Sequence, residues 1–210
     1  MKDKELFVFG GKSTALEIYE TSISLQIYSK VYFVVSDMEN FDEKNVIKEL
    51  DLLKTINSNA KSYFIVSMSD LIIKKKCIEL AEKLKLELTS VIHPAARLSS
   101  TSFIGKGVYI AANSIISNNA IVEDNCIINY SVVIGHDSKV KKNCTINPGV
   151  IIGGNAIIGK NVLVGANSVI KQDIEISDDS KIDAMTYVYF NIDKPSICTS
   201  RNIKVISIKN

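Results

Sequence analysis

Residues 128–154 read INYSVVIGHDSKVKKNCTINPGVIIGG, and within them Ile128, Ile134, Val140, Ile146 and Ile152 recur at every sixth position. The same step reaches Val122, Ile116, Ile110, Ile104, Leu98 and Ile92 upstream, and Ile158, Val164, Ile170, Ile176, Ile182 and Val188 downstream. Every position on this ladder is Ile, Leu or Val. A period of six fits neither the 3.6 of a helix nor the alternation of a simple strand, and self-similarity of this kind marks a parallel β-helix built of hexapeptides.

The other columns of the hexad agree. Two residues before each aliphatic stands a small or slim side chain, among them Ser114, Ala120, Cys126, Val132, Ser138, Cys144, Val150 and Ala156, able to share a narrow prism with the large ones. One residue earlier come Asn113, Asn119, Asn125, Asp137, Asn143, Gly149, Asn155, Asn161, Asn167, Asp173 and Asp179, with Ser131 breaking the series. Asn, Asp and Gly tolerate positive φ, so this column is where each corner is expected to turn. Three hexads make one coil, and at about 4.8 Å per coil the prism is roughly 27 Å tall. A solenoid core needs this pattern whatever it does, so function has to come from residues that break it.

The chain has 210 residues, 46% hydrophobic, with a net charge of +2, too small to argue for nucleic acid or an acidic membrane as partner. No apolar run is long enough to span a bilayer. The opening Met1-Lys2-Asp3-Lys4-Glu5 enters a strand without signal-like apolar residues, so a soluble cytoplasmic protein is expected. Four cysteines lack CxxC spacing; Cys126 and Cys144 should stack inside adjacent coils as thiols. Two histidines, His93 and His136, argue against a metal site and against the zinc enzymes that share the β-helix but need three.

The first part of the chain reads differently. Residues 5–10, 31–36 and 62–67 are apolar strands, separated by a helix over about 13–29, then by a charged segment of loop and helix; a further helix, capped by Ser69-Asp70, runs to about residue 84. Alternating strands and helices imply a small parallel sheet, whose ligands bind beyond the carboxyl ends of the strands. Those ends carry Gly10, Gly11, Lys12, Ser13 and Thr14, then Ser36 and Asp37, then the stretch from Ser67 through Met68 to Ser69. Gly11-Lys12-Ser13 is not a nucleoside-triphosphate loop, because Leu6 stands where that motif wants its first glycine. The turn either holds a phosphate at the helix N-terminus or merely reverses the chain. Residues 86–91 should link sheet to prism, with His93 a turn residue. The expected organisation is an α/β unit over 1–88 that binds a sugar or nucleotide sugar, and a β-helix over 89–210.

His136 follows Ile134-Gly135 and should project outward from the wall, with Asp137 beside it. A neutral imidazole accepts a proton near pH 7, and an adjacent carboxylate fixes its tautomer. Asn147-Pro148-Gly149 and Gly153-Gly154 leave the nearby wall without bulky side chains, open to a thin extended ligand.

The motifs Val91-Ile92-His93-Pro94-Ala95, Ile128-Asn129-Tyr130-Ser131, Ile134-Gly135-His136-Asp137, Ile146-Asn147-Pro148-Gly149 and Val164-Gly165-Ala166 resemble the sialic-acid O-acetyltransferase family, which includes N-acetyltransferases of nucleotide-linked amino sugars. The resemblance implies a left-handed β-helix with a Rossmann-like βαβ unit before it, a homotrimer, and acetyl-CoA in the cleft between prisms. It implies that His136 is the general base assisted by Asp137, that the Gly154 N–H steadies the oxyanion, and that Thr145, Ala166 and Ala184 lie at acetyl-CoA contacts. Gly11, Lys12, Ser13, Thr14, Ser36, Asp37 and Met68 match the sugar-recognition half. There the chain departs from the family, whose first turn runs Gly-x-Gly-Gly-His and which often has glycine at the position of Met68. Arg201 and Lys204 either meet the CoA 3′-phosphate or are solvated. The expected activity is acetyl transfer to a sugar amine or hydroxyl in bacterial glycan synthesis. N- and O-acetylation stay open, as does a non-catalytic trimeric scaffold or sugar-binding protein.

Overall fold

The computed structural model describes residues 3–38 and 44–200; Arg201 and Lys204 lie outside them. The chain begins with a parallel sheet in the order β3-β2-β1-β4-β5, where β1 is Lys4–Phe9, β2 Lys30–Val35, β3 Val46–Lys48, β4 Lys61–Val66 and β5 Glu87–Leu88. Leu6, Phe7, Val8 and Phe9 are all buried, as a central strand covered on both faces requires. Helix α1 (Thr14–Leu25) follows β1, a single helical turn α2 (Leu52–Thr55) follows β3, and α3 (Leu71–Lys83) follows β4. Asp70 caps α3 with one carboxylate oxygen, which accepts from the backbone N–H of Ile72 at 3.0 Å and of Ile73 at 2.9 Å.

Three details differ from the sequence reading. Helix α1 stops at Leu25 because Gln26 turns left-handed (φ 54°) and its N–H bonds back to Ile23 O. The charged segment contains the extra edge strand β3. The supposed link contributes Glu87–Leu88 to the sheet before Val91–Ile92 opens the first coil.

From there the chain winds through two-residue strands in three parallel sheets of seven, six and five strands. The first wall carries Tyr109–Ile110, Ile127–Ile128, Thr145–Ile146 and Leu163–Val164; the second Ile115–Ile116, Val133–Ile134 and Ile151–Ile152; the third Ile121–Val122, Lys139–Val140 and Ile157–Ile158. Each strand pairs with the one eighteen positions on, as in Ile128↔Ile146 and Ile134↔Ile152, so the sheets are successive sides of one parallel β-helix. The ladder residues from Ile110 to Val188 are buried in one continuous core. Cys126 and Cys144 stack inside it, their thiols donating to Lys141 O at 3.2 Å and Gly159 O at 2.9 Å. The corner column has positive φ throughout, from Asn113 (62°) to Asp179 (60°), and includes Ser131 (59°) and Met185 (57°). Side-chain ladders tie the corners together: Asn143 Nδ2 donates to Asn161 Oδ1 and Asn161 Nδ2 to Asp179 Oδ1. The last coil is shorter, with Lys181 pairing Ile197 and Ile182 pairing Cys198.

The α/β part packs on the first wall. Val91, Tyr109, Ala111 and Ile127 share a core with Leu6, Val8, Ala15, Ile18 and Phe33. The buried Lys74 of α3 donates to Asn125 O at 3.0 Å, and that burial holds its ammonium below the ordinary lysine range.

Candidate functional site

His136 stands at the corner between the second and third walls. Gly135 lets the coils stack closely, since an added Cβ there would lie 2.6 Å from Gly154 N. One coil further on, a Cβ on Gly154 would lie 2.6 Å from His136 Nε2 and 2.7 Å from Cε1, so the ring rests over the bare backbone of Gly154. Asp137 occupies the left-handed corner position (φ 58°), which swings its carboxylate back toward the ring. Its Oδ2 is 2.8 Å from His136 Nδ1, and its Oδ1 accepts from Asn119 Nδ2 at 3.0 Å. The Asn119 amide first, and His136 second, hold the Asp137 carboxyl below the usual carboxylate range. An anionic Asp137 accepts the proton of Nδ1–H, which leaves the lone pair on Nε2 over Gly154. The imidazole remains half-exposed, so an incoming group can reach it. This is the geometry of a general base with an orienting carboxylate.

The other prism residues are elsewhere on the single chain. Ala166 and Ala184 stack one coil apart at the corner between the first and second walls, where Met185 N donates to Ala166 O at 2.8 Å. Thr145 is buried on the first wall, beneath the start of α3, lining a cleft of about 490 Å³ with Ser69, Asp70, Leu163 and Lys181. A triangular section puts the His136 corner opposite the first wall, so Thr145 and His136 do not meet within one chain.

The carboxyl ends of β1, β2 and β4 enclose a cleft of about 450 Å³ lined by Gly11, Lys12, Ser13, Thr14, Ser36 and Met68, among others. Gly10 (φ 120°) turns the chain against Ser67, whose hydroxyl donates to Phe9 O at 2.8 Å. Ser13 makes no side-chain cap to α1, and with Lys12 and Thr14 it lines the cleft at the N-terminus of that helix. Asp37 is not among the residues that line it; its Oδ1 accepts from Leu50 N at 3.3 Å. Met68 Sδ lies 3.9 Å from Cys77 Sγ, filling the floor where a glycine would leave it deeper. Ser69 and Asp70 border both this cleft and the one above Thr145, so the two are neighbours.

A smaller cleft escaped the sequence reading. It lies between α1 and the prism corner and is lined by Glu17, Glu20, Thr21, His93, Tyr109 and Tyr130 among others. His93 accepts the Ala95 N–H on Nδ1 at 3.0 Å, the turn role expected of it, while also facing this cleft. On α1 alone Glu17 looks like a solvated helix residue; only the fold brings it to Tyr130.

Residues 137–172 match the family described as bacterial transferase hexapeptide (six repeats), and residues 156–189 match the hexapeptide repeat of succinyl-transferase. No curated protein matches the chain. Among solved structures, the acetyltransferase domain of PglB from Neisseria gonorrhoeae in complex with acetyl coenzyme A is similar at 23% identity and a TM-score of 0.82, over 90% of this chain and 93% of that one. A mutant perosamine N-acetyltransferase from Caulobacter crescentus, in complex with CoA and GDP-perosamine, is 21% identical with a TM-score of 0.84, over 96% and 97% of the two chains. WeeI from Acinetobacter baumannii is 13% identical with a TM-score of 0.64, over 85% and 95%. Over nearly its whole length the chain therefore has the fold of these bacterial acetyltransferase structures, and its central coils carry the hexapeptide repeat of bacterial transferases.

Proposed function

We propose that this protein is an acetyl-CoA-dependent acetyltransferase of a nucleotide-linked sugar, serving glycan synthesis in the cytoplasm as a homotrimer. Each copy would pair a Rossmann-like domain over 1–88 with a left-handed β-helix over 89–210. The observation that carries the reading is the Asn119–Asp137–His136 relay, with Nε2 directed over Gly154. In the reaction, Nε2 takes a proton from the acceptor amine or hydroxyl as its N or O attacks the thioester carbonyl. The new C–N or C–O bond forms, the carbonyl oxygen becomes an oxyanion facing the Gly154 N–H, and the C–S bond then breaks. The thiolate leaves with the proton carried by His136. One such oxyanion contact contributes about 3 kcal/mol to catalysis.

The trimer is supported by the outward residues of the second wall. Ile115, Val133, Ile151, Val169 and Tyr187 form an aliphatic and aromatic stripe, with Ile115 40%, Ile151 46% and Tyr187 56% exposed. Single exposed apolar residues are ordinary, whereas a contiguous stripe marks an interface. Three prisms joined about an axis through this wall bring its two flanking corners together. His136 of one copy then faces Ala166 and Ala184 of the next, uniting residues that one chain keeps apart, with acetyl-CoA along the seam. Thr145 lies under α3, outside that seam. Lys12, Ser13 and Thr14 at the α1 N-terminus suit the diphosphate of a nucleotide sugar.

The test follows free thiol released from acetyl-CoA against UDP- and GDP-linked amino sugars, the unlinked sugars and sialic acid. His136→Ala is expected to lower the rate at least ~10²-fold with the assembly unchanged by sedimentation. No thiol release with any acceptor would leave the scaffold or sugar-binding reading in place of an enzyme. Turnover by His136→Ala at the parent rate would remove the base assignment.

A further inference from the structure

The carboxyl end of the prism breaks its own pattern. The residues one and two places after each ladder position of the second wall are Ser117-Asn118, Gly135-His136, Gly153-Gly154 and Lys171-Gln172, all small or polar; in the last coil they are Tyr189-Phe190. Phe190 thus stands in the column of His136, three coils below it. Val188 keeps the register of the second wall against Ile170, and the shortened third wall resumes only at the Ile176–Ile192 bridge. Tyr189 is 60% and Phe190 52% exposed, although their ring centroids lie 5.1 Å apart edge to face and Tyr187 lies 5.7 Å from Tyr189. Rings that pack on one another yet stay open to water form an apolar patch of the kind that marks a binding surface.

The distance from His136 identifies the occupant. Three coils at about 4.8 Å each put Phe190 roughly 14 Å below the imidazole. The arm of coenzyme A between its sulfur and its diphosphate has the backbone length of about four extended residues, which is also about 14 Å. Only the lower part of the proposed seam is open to such an arm. Toward the start of the prism the opposing corner carries Tyr130 and is overhung by α1, whereas toward its end the same corner presents Ala166 and Ala184. A thioester held at Nε2 therefore runs its arm past these two alanines of the next copy and brings the adenosine to the rings. Lys171, exposed one coil above Tyr189, stands beside the place where the diphosphate arrives.

We infer that Tyr189 and Phe190 form a stacking platform for the adenine of acetyl-CoA, which selects a nucleotide-bearing thioester over one carried on a bare or protein-borne phosphopantetheine arm. The inference rests on the function and assembly proposed above and makes the two rings specificity-determining residues for the donor, since neither reaches the reacting atoms. A donor without adenine makes the same contacts at His136 and along the alanines and forfeits only the platform.

The test is calorimetric titration of the full-length parent, Tyr189→Ala, Phe190→Ala and Tyr189→Phe with three probes: CoA, 4′-phosphopantetheine and adenosine 3′,5′-bisphosphate. Thiol-release kinetics with acetyl-CoA accompany it. The parent should bind CoA at least tenfold more tightly than 4′-phosphopantetheine. Each alanine variant should weaken CoA and the bisphosphate about tenfold, within the range of one base–aromatic stack, and leave 4′-phosphopantetheine unchanged. Tyr189→Phe, which keeps the ring, should bind CoA as the parent does. In the alanine variants the KM for acetyl-CoA should rise with kcat nearly unchanged, and sedimentation should match the parent. Parent-like CoA affinity in both alanine variants, equal parent affinity for CoA and 4′-phosphopantetheine, or dissociation of the assembly, which would make the rings a contact between copies, would each overturn the inference. So would a parent that does not bind CoA. Parent turnover with indifferent alanine variants sinks the platform alone, whereas CoA binding weakened by them without any turnover sinks the enzyme reading and keeps the platform.

Discussion

Gly154→Ala isolates the position of the His136 ring from every other property of the site. Gly154 does not need positive φ, so alanine is compatible with its backbone, and the variant keeps the N–H assigned to the oxyanion. What changes is the space. The new methyl would lie 2.6 Å from Nε2, 2.7 Å from Cε1 and 3.1 Å from Cδ2, where ordinary contact begins near 3.4 Å. The backbone of stacked coils is held by the ladder on both sides, including Asn155 N to His136 O at 2.9 Å, so the ring yields. A retreat of about 0.8 Å stretches the Nδ1–Oδ2 contact toward ~3.6 Å, where it is no longer a hydrogen bond. A misplacement of about 1 Å in a catalytic group costs on the order of 10²-fold. Thiol release from acetyl-CoA should therefore fall about 10²-fold, while the melting temperature stays within about 2 °C because the ring is a surface group. In the His136→Ala background the same methyl should cost nothing further. Parent-like turnover by Gly154→Ala, or an equal loss in both backgrounds, would refute the argument that the bare glycine exists for the ring.

Three further outcomes are expected. Lys12→Ala should raise the KM of a nucleotide-linked acceptor more than it lowers kcat, and an unchanged KM would remove Lys12 from the binding cleft. Ile151→Glu, which plants a charge in the centre of the exposed stripe, should dissociate the assembly in sedimentation and abolish thiol release together; an intact trimer with full activity would place the interface on another wall. Glu17→Gln should unfold at a higher temperature than the parent at pH 7.5. A carboxyl whose folded pKa is raised loses stability as pH climbs from the ordinary glutamate value through the raised one, and glutamine has no charge to bury. The advantage should vanish near pH 4, and a variant less stable than the parent at pH 7.5 would show that Glu17 is held by contacts the carboxylate supplies.

The prism was legible because its rule is local and strict. An aliphatic at every sixth position with a turn-tolerant residue three before it leaves one arrangement for all of them, and even Ser131, an apparent break, was carried into the left-handed corner by its neighbours above and below. Met185 shows the same constraint without any compositional signal. The His136–Asp137 pair was equally readable, since adjacent residues at a known corner can only meet at close range. Strands β3 and β5 were not, because three and two residues give no alternation to read and their pairing is long-range. Helix α1 ended early at a glutamine, a residue with no preference for the left-handed cap. Asp37 sits at the expected strand end yet bonds to Leu50, a contact that nothing in the local pattern announces. The Glu17–Tyr130 cleft depends on α1 docking against a coil more than a hundred residues away in sequence, and no window of the chain contains both.

The strict vertical pairing of the coils has a consequence for how such a chain can change length. Excising one hexad between His136 and Ala166 would rotate everything downstream by a third of a revolution, carrying Ala166 and Ala184 from their own corner onto the one between the third and first walls, away from the seam with His136. Removing a full coil would restore the compass bearing of every later residue and only shorten the column. Insertions and deletions here should therefore be tolerated in whole revolutions, and the spacing between the imidazole and the lower alanines acts as a ruler that can be lengthened only in increments of about 4.8 Å.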